Sequence, residues 1–216
     1  MVGTPQELIG AGRRAAVIAV AALACTAGVV AASDEAYRVT GQCREGHAQG
    51  GYALRAMDGT LRVQGAFNQG QRVGSFIFWT SSGMRVAHLP FDNDVLAGTV
   101  SLWYADVRAG PEPPRKLEAA YRRGERHGQT RSWYASGQRR GEYEYIDGEL
   151  RSARAWSETG DAYDEAAARA LADRDRAADT DYLDTLLAVV RRHLPDCTPP
   201  PAQQRAEVPN QEERAL

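Results

Sequence analysis

Aromatic residues recur through the middle of the chain at a spacing that predicts a repeated structural unit. Phe67 and Phe91 are 24 residues apart, and Tyr121 and Tyr145 are again 24 apart. Polar and apolar positions follow the same interval, so that "FNQGQRVGSFIFW" returns later as "YRRGERHGQTRSW". Self-similarity at a fixed interval is the signature of a repeat architecture.

Each predicted unit has two glycine positions after its aromatic residue. Three residues after the aromatic residue stand Gly70, Asp94, Gly124 and Gly148, and seven residues after it stand Gly74, Gly98, Gly128 and Ser152. Counting back 24 residues from Phe67 reaches Cys43, so the pattern predicts five units, the first with cysteine in the aromatic position. The longer interval before Tyr121 contains "RAGPEPP", residues 108–114, which we interpret as a loop insertion.

Within one unit the pattern predicts a β-hairpin. Residues 65–86 show two short alternating runs on either side of a glycine-bounded turn. A lone hairpin cannot bury an apolar face, whereas stacked hairpins cover one another. We therefore expect the repeated aromatic residues to be core positions. The tryptophans that follow them are candidates for a binding face of the sheet: Trp79, Trp103 and Trp133.

The repeated stretches resemble the bacterial form of MORN-type repeats. The motif is "YRRGERHGQTRSWYASGQ", with the related stretches "FNQGQRVGSFIFWTSSGM" and "YIDGELRSARAWSETGD", and the resemblance covers residues 41–163. It implies a mainly β fold, an elongated single-layer antiparallel sheet of stacked hairpins. It also implies a binding or scaffolding surface, and some bacterial members of the family are labelled antitoxins. The third unit lacks one turn glycine, at Asp94, and the fifth lacks one at Ser152, so these copies are expected to be irregular or adapted to a partner.

Residues 164–194 predict a C-terminal helix. The stretch has no glycine or proline, and its apolar residues recur every three or four positions, as at Leu183, Leu187 and Leu194. Asp179 and Thr180 could divide it into two helices. Residues 195–216 contain five of the ten prolines, and we predict a disordered tail there.

The N-terminal residues 1–32 predict a targeting segment. Arg13 and Arg14 precede an uncharged run that ends in small residues, as in a secretory signal cleaved before Ser33. Two alternatives remain open, namely lipidation of Cys25 and retention of the segment as a membrane anchor. Export favours disulfides, and the mature chain would keep only Cys43 and Cys197. If the helix runs back along the sheet, its end would deliver Cys197 to Cys43, and we predict this bridge; two unpaired thiols are the alternative.

Composition and charge exclude several chemistries. The net charge of −2 gives no global attraction to nucleic acid. His47 and His127 both follow a glutamate by two residues, and we interpret them as solvated turn residues rather than a catalytic or metal pair. Asp92 and Asp94 lack the later glutamate of a calcium loop. The arginines of the fourth unit are interleaved with glutamates and predict a mixed, solvated face: Arg122, Arg123, Arg126, Arg131, Arg139 and Arg140.

Three functions are consistent with these patterns. The favoured one is an exported, non-enzymatic bacterial repeat protein, periplasmic or secreted, that acts as a scaffold binding a protein or an envelope component. The second is an antitoxin-like or immunity-like protein that neutralises a partner toxin. The third is a hydrolase of envelope polymers, for which no nucleophile, carboxylate pair or phosphate-binding motif is found. No cofactor or metal is expected, and a membrane would be contacted only through the N-terminal segment, if it is uncleaved or lipidated.

Export predicts a processed N-terminus. Mass spectrometry of the protein isolated from its native host should show a chain that begins near Ser33, or one acylated on Cys25. A full-length protein that begins at Met1 and stays in the cytoplasm would contradict export, and it would also remove the argument for an oxidising compartment.

Overall fold

A computed structural model describes residues 36–105, 107 and 112–198. The predicted targeting segment, most of the predicted insertion 108–114 and the tail from residue 199 onward lie outside these residues. The described chain forms one antiparallel sheet and one helix, confirming the predicted mainly β fold built of hairpins. The strands run as follows: β1 Tyr37–Arg44, β2 His47–Ala56, β3 Leu61–Asn68, β4 Gln71–Trp79, β5 Arg85–Asp92, β6 Val95–Leu96, β7 Gly98–Trp103, β8 Arg115–Arg122, β9 Glu125–Trp133, β10 Arg139–Ile146 and β11 Glu149–Ala155.

The strands lie in the sheet in the order in which they follow along the chain. The order is β1-β2-β3-β4-β5-β7-β8-β9-β10-β11, and the short β6 pairs with β5 beside β7. Every neighbouring pair is antiparallel, so each predicted unit supplies two adjacent strands. Strands β1 and β11 are the two edges.

The first glycine position of each unit is the second central residue of a tight hairpin turn. Both central residues of these turns have positive φ, for example 49° at Gln69 and 81° at Gly70. This geometry matches the twist of the strands and favours glycine. In the third unit Asp94 adopts the same conformation, with φ 69°, so the missing glycine does not disrupt the turn. Its amide donates to the carbonyl of Arg72 at 2.9 Å, as the amide of Gly70 does to that of Ala48.

The second glycine position bends the strand. Gly74 and Gly128 have φ of 67° and 96°, and the pairing register shifts beside them. Such bulges raise the local twist of a sheet. Ser152 replaces this glycine in the fifth unit, and a register shift is nevertheless present in β11 between its pairs with Glu144 and Tyr145.

The repeated aromatic residues pack on one face of the sheet. Phe67, Phe91 and Tyr145 are buried, whereas Tyr121 is half-buried. Phe67 and Phe91 each contact Phe76 edge to face, with ring centroids 5.4 and 5.6 Å apart. Edge-to-face pairs of this kind add about 0.5–1.5 kcal/mol beyond area burial. The aromatic position of each unit is therefore a packing position.

Helix α1, Glu165–Arg192, covers this aromatic face. Asp164 caps its first turn by accepting a hydrogen bond from the amide of Ala167, and Arg191 and Arg192 complement its C-terminal dipole. The possible break at Asp179 and Thr180 does not occur, because the helix is continuous there. Its buried stripe includes Leu183, Leu186, Leu187 and Val190, which belong to the same apolar cluster as the aromatic residues of β2 to β5.

The end of α1 reaches the first hairpin. The 28 residues of the helix span roughly 42 Å at 1.5 Å per residue. Tyr52 of β2 donates a hydrogen bond to the carbonyl of His193 at 2.9 Å. Beyond it, Cys197 is bonded to Cys43, with Cα atoms 5.4 Å apart. A bridge across 154 residues of sequence stabilises a fold by about 4–5 kcal/mol in the chain-entropy model.

The bulge glycines give a stability prediction. Gly128→Val should lower the free energy of unfolding by about 1–3 kcal/mol, because a β-branched residue is strained at positive φ. The added Cβ itself would meet only Ala120 at 3.5 Å, so the cost is conformational. Gly51→Val is the matched control, since Gly51 is an exposed strand glycine with open space around its Cβ position. Equal effects of the two substitutions on urea denaturation would contradict the argument.

Candidate functional site

The sheet has a covered face and an open face. Side chains alternate between the two faces along each strand, and α1 packs only on the face that carries the aromatic residues. Within residues 36–105, 107 and 112–198, α1 is the only helix. We call the opposite side, which no described helix covers, the open face.

The covered face changes character under the two halves of the helix. The second half packs on apolar side chains such as Leu54, Phe78 and Leu102. The first half packs through Ala168, Leu171 and Ala172 on smaller apolar clusters that include Tyr143, Tyr145 and Ala155. Polar side chains are buried between these apolar regions, among them Arg126 and Thr130, which are 4% and 0% exposed. We call these buried polar residues of the last two hairpins the polar floor.

A buried ion pair joins the polar floor to the helix. Arg126 of β9 donates to the carboxylate of Asp179 at 2.8 Å, and both side chains are about 5% exposed. Lys116 of β8 lies 3.6 Å from the other carboxylate oxygen. Burial raises the pKa of the Asp179 carboxyl, and the positive charges of Arg126 and Lys116 offset part of that rise. Tyr121 and Tyr145 complete the surroundings of the guanidinium.

A second ion pair lies one helical turn away. Arg140 of β10 makes two hydrogen bonds to the carboxylate of Asp175, at 2.8 and 3.0 Å. The hydroxyl of Tyr143 donates to the same group at 3.4 Å. The hydrogen bond to Asp175 raises the pKa of Arg140. Because Asp175 and Asp179 are four residues apart, they lie on the same face of α1.

The predicted solvated arginine face is wrong for part of the cluster. Arg126 and Arg140 point to the helix, whereas Arg122 pairs with Asp147 at 2.9 Å beside a hairpin turn. That hydrogen bond lowers the pKa of Asp147. Arg123 is an exposed residue of the hairpin turn that follows Arg122, and Arg131 and Arg139 lie on the open face. The six arginines therefore divide among three environments: the helix side, the hairpin turn and the open face.

The predicted tryptophan face lies on the open side but is not an exposed row. Trp103 is 6% exposed, because the guanidinium groups of Arg85 and Arg115 lie over it, 4.4 and 5.5 Å from the ring centroid. Trp133 carries Arg139 in the same way, at 5.0 Å. Trp79 and Trp133 are half-buried. These tryptophans therefore pack under arginines, and Trp103 offers no free surface for stacking.

A row of alternating charges crosses the open face beside the tryptophans. The directly paired residues of neighbouring strands are Glu118, Arg131, Glu142 and Arg154. Glu142 is the centre of this row, because it accepts from Arg154 at 2.7 Å and from Arg139 at 2.5 Å. We call these four residues the charge row. Opposite charges on directly paired strand residues stabilise a sheet.

A shallow depression of about 310 Å³ opens next to the charge row. It is lined by Thr99, Glu118, Ala120, Gln129 and Arg131. Small side chains at Thr99 and Ala120 leave the space, while the lining provides both hydrogen-bond donors and acceptors. This combination can recognise a polar surface of another macromolecule.

His47 and His127 do not come together as a catalytic or metal-binding pair. His47 and His127 lie on different strands, β2 and β9. His127 accepts a hydrogen bond from the amide of Asp147 at 3.3 Å. Nowhere in the described residues do three or more His, Cys, Asp or Glu side chains come together as a metal site would require. Asp94, considered for calcium, instead binds Arg72 at 2.6 Å.

One hydrogen bond on the open face resembles a nucleophile and base. The ring of His88 and the hydroxyl of Ser75 are 2.8 Å apart. Burial, followed by the charge of Arg85, lowers the pKa of His88. Within the described residues no carboxylate contacts the other ring nitrogen, and the two strands form a surface rather than a cleft. A catalytic pair needs an orienting group and a site that holds a substrate, so we interpret this bond as bracing the sheet.

Comparisons with known proteins leave the family open. No protein-family model matches the chain, and no curated protein is significantly similar to it. The resemblance to MORN-type repeats therefore rests on the quoted motifs. Within the described residues no helix combines the length and apolar character needed to cross a bilayer.

The buried ion pairs were not recognised in the sequence. Arg126 occupies the position five residues after the repeated aromatic residue, where the other units have Ala48, Arg72, Leu96 and Leu150. The apolar residues at three of these equivalent positions were a signal that the position faces the core. Lys116 and Arg140 occupy equivalent positions in their units, at register shifts that turn them toward the helix. A usable signal was the pair of aspartates, Asp175 and Asp179, in line with the apolar stripe of α1.

The Arg126–Asp179 pair gives a second stability prediction. Asp179→Asn should lower the free energy of unfolding by about 3–5 kcal/mol at pH 7, because it leaves the Arg126 charge buried without a counterion. One guanidinium nitrogen of Arg126 already lacks a hydrogen-bond partner. The control Asp184→Asn, at an exposed position of the same helix, should change the free energy of unfolding by less than about 0.5 kcal/mol.

The double variant Arg126→Met with Asp179→Leu tests whether the lost stability comes from an unpaired buried charge or from the loss of side-chain packing at this position. It should recover much of the lost stability, because replacing both charges by apolar groups removes the buried, unpaired charge. Urea denaturation measures all three variants. If Asp179→Asn were no more destabilising than Asp184→Asn, the ion pair would not hold the helix.

Proposed function

We propose that this is an exported, non-enzymatic bacterial repeat protein that binds another macromolecule, a protein or an envelope component, through the open face of its sheet. The observation that carries the proposal is the division of the sheet into two faces. One face is covered by α1, while the other presents the charge row and the adjoining depression to solvent. Such a surface has the mixed polarity of a non-obligate protein interface.

The rigidity of the sheet supports a binding role. A surface that is ordered before binding loses less conformational entropy on association. The hairpins are bound to one another by ladder hydrogen bonds and by turn-to-turn hydrogen bonds such as that from Gly148 to the carbonyl of Arg126 at 2.9 Å. Helix α1 packs on the opposite face of these hairpins, and the Cys43–Cys197 bridge fixes the end of the chain after the helix to the first hairpin. The open face is therefore a preorganised surface.

Export is supported by two independent features. The first is the uncharged run after Arg13 and Arg14, which is typical of a secretory signal. The second is the bridge between Cys43 and Cys197, since such bonds persist in oxidising compartments. The partner would accordingly be a component of the cell envelope or its exterior.

Site-specific crosslinking tests the proposal. A photoreactive amino acid at Gln129, an exposed residue of the depression, should crosslink a discrete partner in the native envelope. The same amino acid at Asp184, exposed on α1, should give no such product. The crosslinked partner is then identified, purified and titrated against the protein.

Charge substitutions on the open face should then weaken the purified complex. Thr99→Arg with Gln129→Arg should raise its Kd at least tenfold, because two cations enter the depression beside Arg131. The control variant Asp184→Arg should bind like the wild type. A product formed only from the helix position, or a Kd unchanged by the open-face variant, would overturn the assignment of this face.

A further inference from the structure

The sheet ends at β11 because the segment that follows it makes only one β-bridge before the helix begins. After Trp156 the chain turns back, Trp156 bridges to Ala162, and the amide of Tyr163 donates to the carbonyl of Ala155 at 2.9 Å. In the earlier units a strand of eight residues follows at this point, such as β10. Here Asp164 instead caps the helix. The remaining length of β11 therefore has no strand on its outer side.

The outer side of β11 keeps backbone groups that can pair. Ladder hydrogen bonds alternate in direction along an antiparallel strand. The carbonyl of Ala155 points outward, because it accepts from Tyr163, so the backbone of Ala153, two residues earlier, points outward as well. Farther along, the carbonyl of Arg151 accepts from the side chain of Arg169 at 3.1 Å. The stretch around Ala153 is the part of this edge that is open for pairing.

A groove runs along this stretch. It has a volume of about 540 Å³ and lies between β11 and the first turns of α1. Arg151, Arg154 and Arg169 line it. Each has one carboxylate neighbour, namely Glu149 at 2.7 Å, Glu142 at 2.7 Å and Glu165 at 3.0 Å. The side chains of Arg151 and Arg154 nevertheless remain 52% and 72% exposed, and their guanidinium groups have donors left for a second carboxylate. Tyr163, which is 43% exposed, closes one end. The groove thus combines an unpaired strand edge with exposed guanidinium groups and an aromatic side chain.

The charge row indicates which charge a residue opposite Arg154 should carry on a strand added by a partner. Its charges alternate from strand to strand as Glu118, Arg131, Glu142 and Arg154, and the row stops at the edge. Arg154 is 72% exposed and is paired on its inner side only, with Glu142. An acidic residue on an added strand would continue the alternation, as directly opposed opposite charges do within the sheet.

We propose that the β11 edge binds an extended acidic peptide, which adds to the sheet as an antiparallel strand opposite Arg154 to Leu150. Main-chain hydrogen bonds to an exposed edge supply affinity in such complexes, and alternate side chains supply specificity. At about 3.4 Å per residue, five residues cover roughly 17 Å. A second copy of the chain fits less well, because antiparallel pairing of β11 with itself would bring Arg151 and Arg154 close to their own copies.

A fluorescent heptapeptide of alternating glutamate and valine, blocked at both ends, is the probe. Fluorescence anisotropy with the full protein should show saturable binding. The peptide with lysine in place of glutamate tests charge, and the peptide methylated on alternate backbone nitrogens tests strand pairing. Each should bind at least tenfold more weakly than the parent peptide, because the first loses the attraction to the arginines and the second loses its main-chain donors.

Variants of the edge provide the matching test on the protein. Arg154→Glu and Ala153→Pro should each raise the Kd of the parent peptide at least tenfold. Proline is tolerated on an edge strand when the amide that it removes points outward. Arg38→Glu, on the opposite edge strand β1, is the control and should leave the Kd unchanged. Hydrogen exchange should show that the peptide protects the amide of Ala153.

Specific outcomes would overturn the proposal. Absence of saturable binding, equal binding of the methylated peptide, or equal effects of Arg154→Glu and Arg38→Glu would each do so. If Ala153→Pro fails to fold, Arg154→Glu and the methylated peptide still decide the question. The result is separable from the role of the open face, because Thr99→Arg with Gln129→Arg leaves the β11 edge intact.

Discussion

A single layer of strands can bury apolar side chains only where another element covers it, and the rest of this structure follows from that constraint. In the part of the chain that the structure describes, ten strands follow one another in a single sheet, with the short β6 paired to β5, and no second sheet packs on it. Helix α1 is therefore the cover for the aromatic face, and its apolar stripe from Leu183 to Val190 completes the core. No described helix covers the opposite face, and there the tryptophans lie under arginines such as Arg85 and Arg139 while the charge row meets solvent.

Apolar contact alone does not decide where the helix lies. A stripe of leucines could pack at several registers along a row of similar repeats, since hydrophobic attraction has no direction. The two ion pairs, Asp175 with Arg140 and Asp179 with Arg126, are directional and occur at one register only. The bond from Cys197 to Cys43 holds the other end. We infer that polar contacts position the helix, while apolar contacts supply most of the stabilisation.

The repeat serves the two faces in different ways. Register shifts near the start of β8 and β10 serve the covered face, because they turn Lys116 and Arg140 toward the aspartates of α1. One residue earlier, Arg115 and Arg139 turn to the open face and lie over Trp103 and Trp133. One unit thus supplies a contact to the cover and a charged position to the surface. At β11 the series stops, and an unpaired edge remains.

The sequence by itself determined the hairpins, their number and the amphipathic helix, because these depend on local spacing and on backbone conformation. Gly70 and Gly124 mark the repeated turns because these turns need a residue with positive φ. Leu183 and Leu187 are four residues apart and therefore lie on the same face of a helix. Whether Asp179 would break the helix or anchor it was decided by the tertiary structure, since the answer depends on Arg126, which is 53 residues distant. The burial of Trp103 was likewise decided there, because neighbouring strands bring Arg85 and Arg115 over its ring. Local spacing carries no information about which charges meet across a sheet.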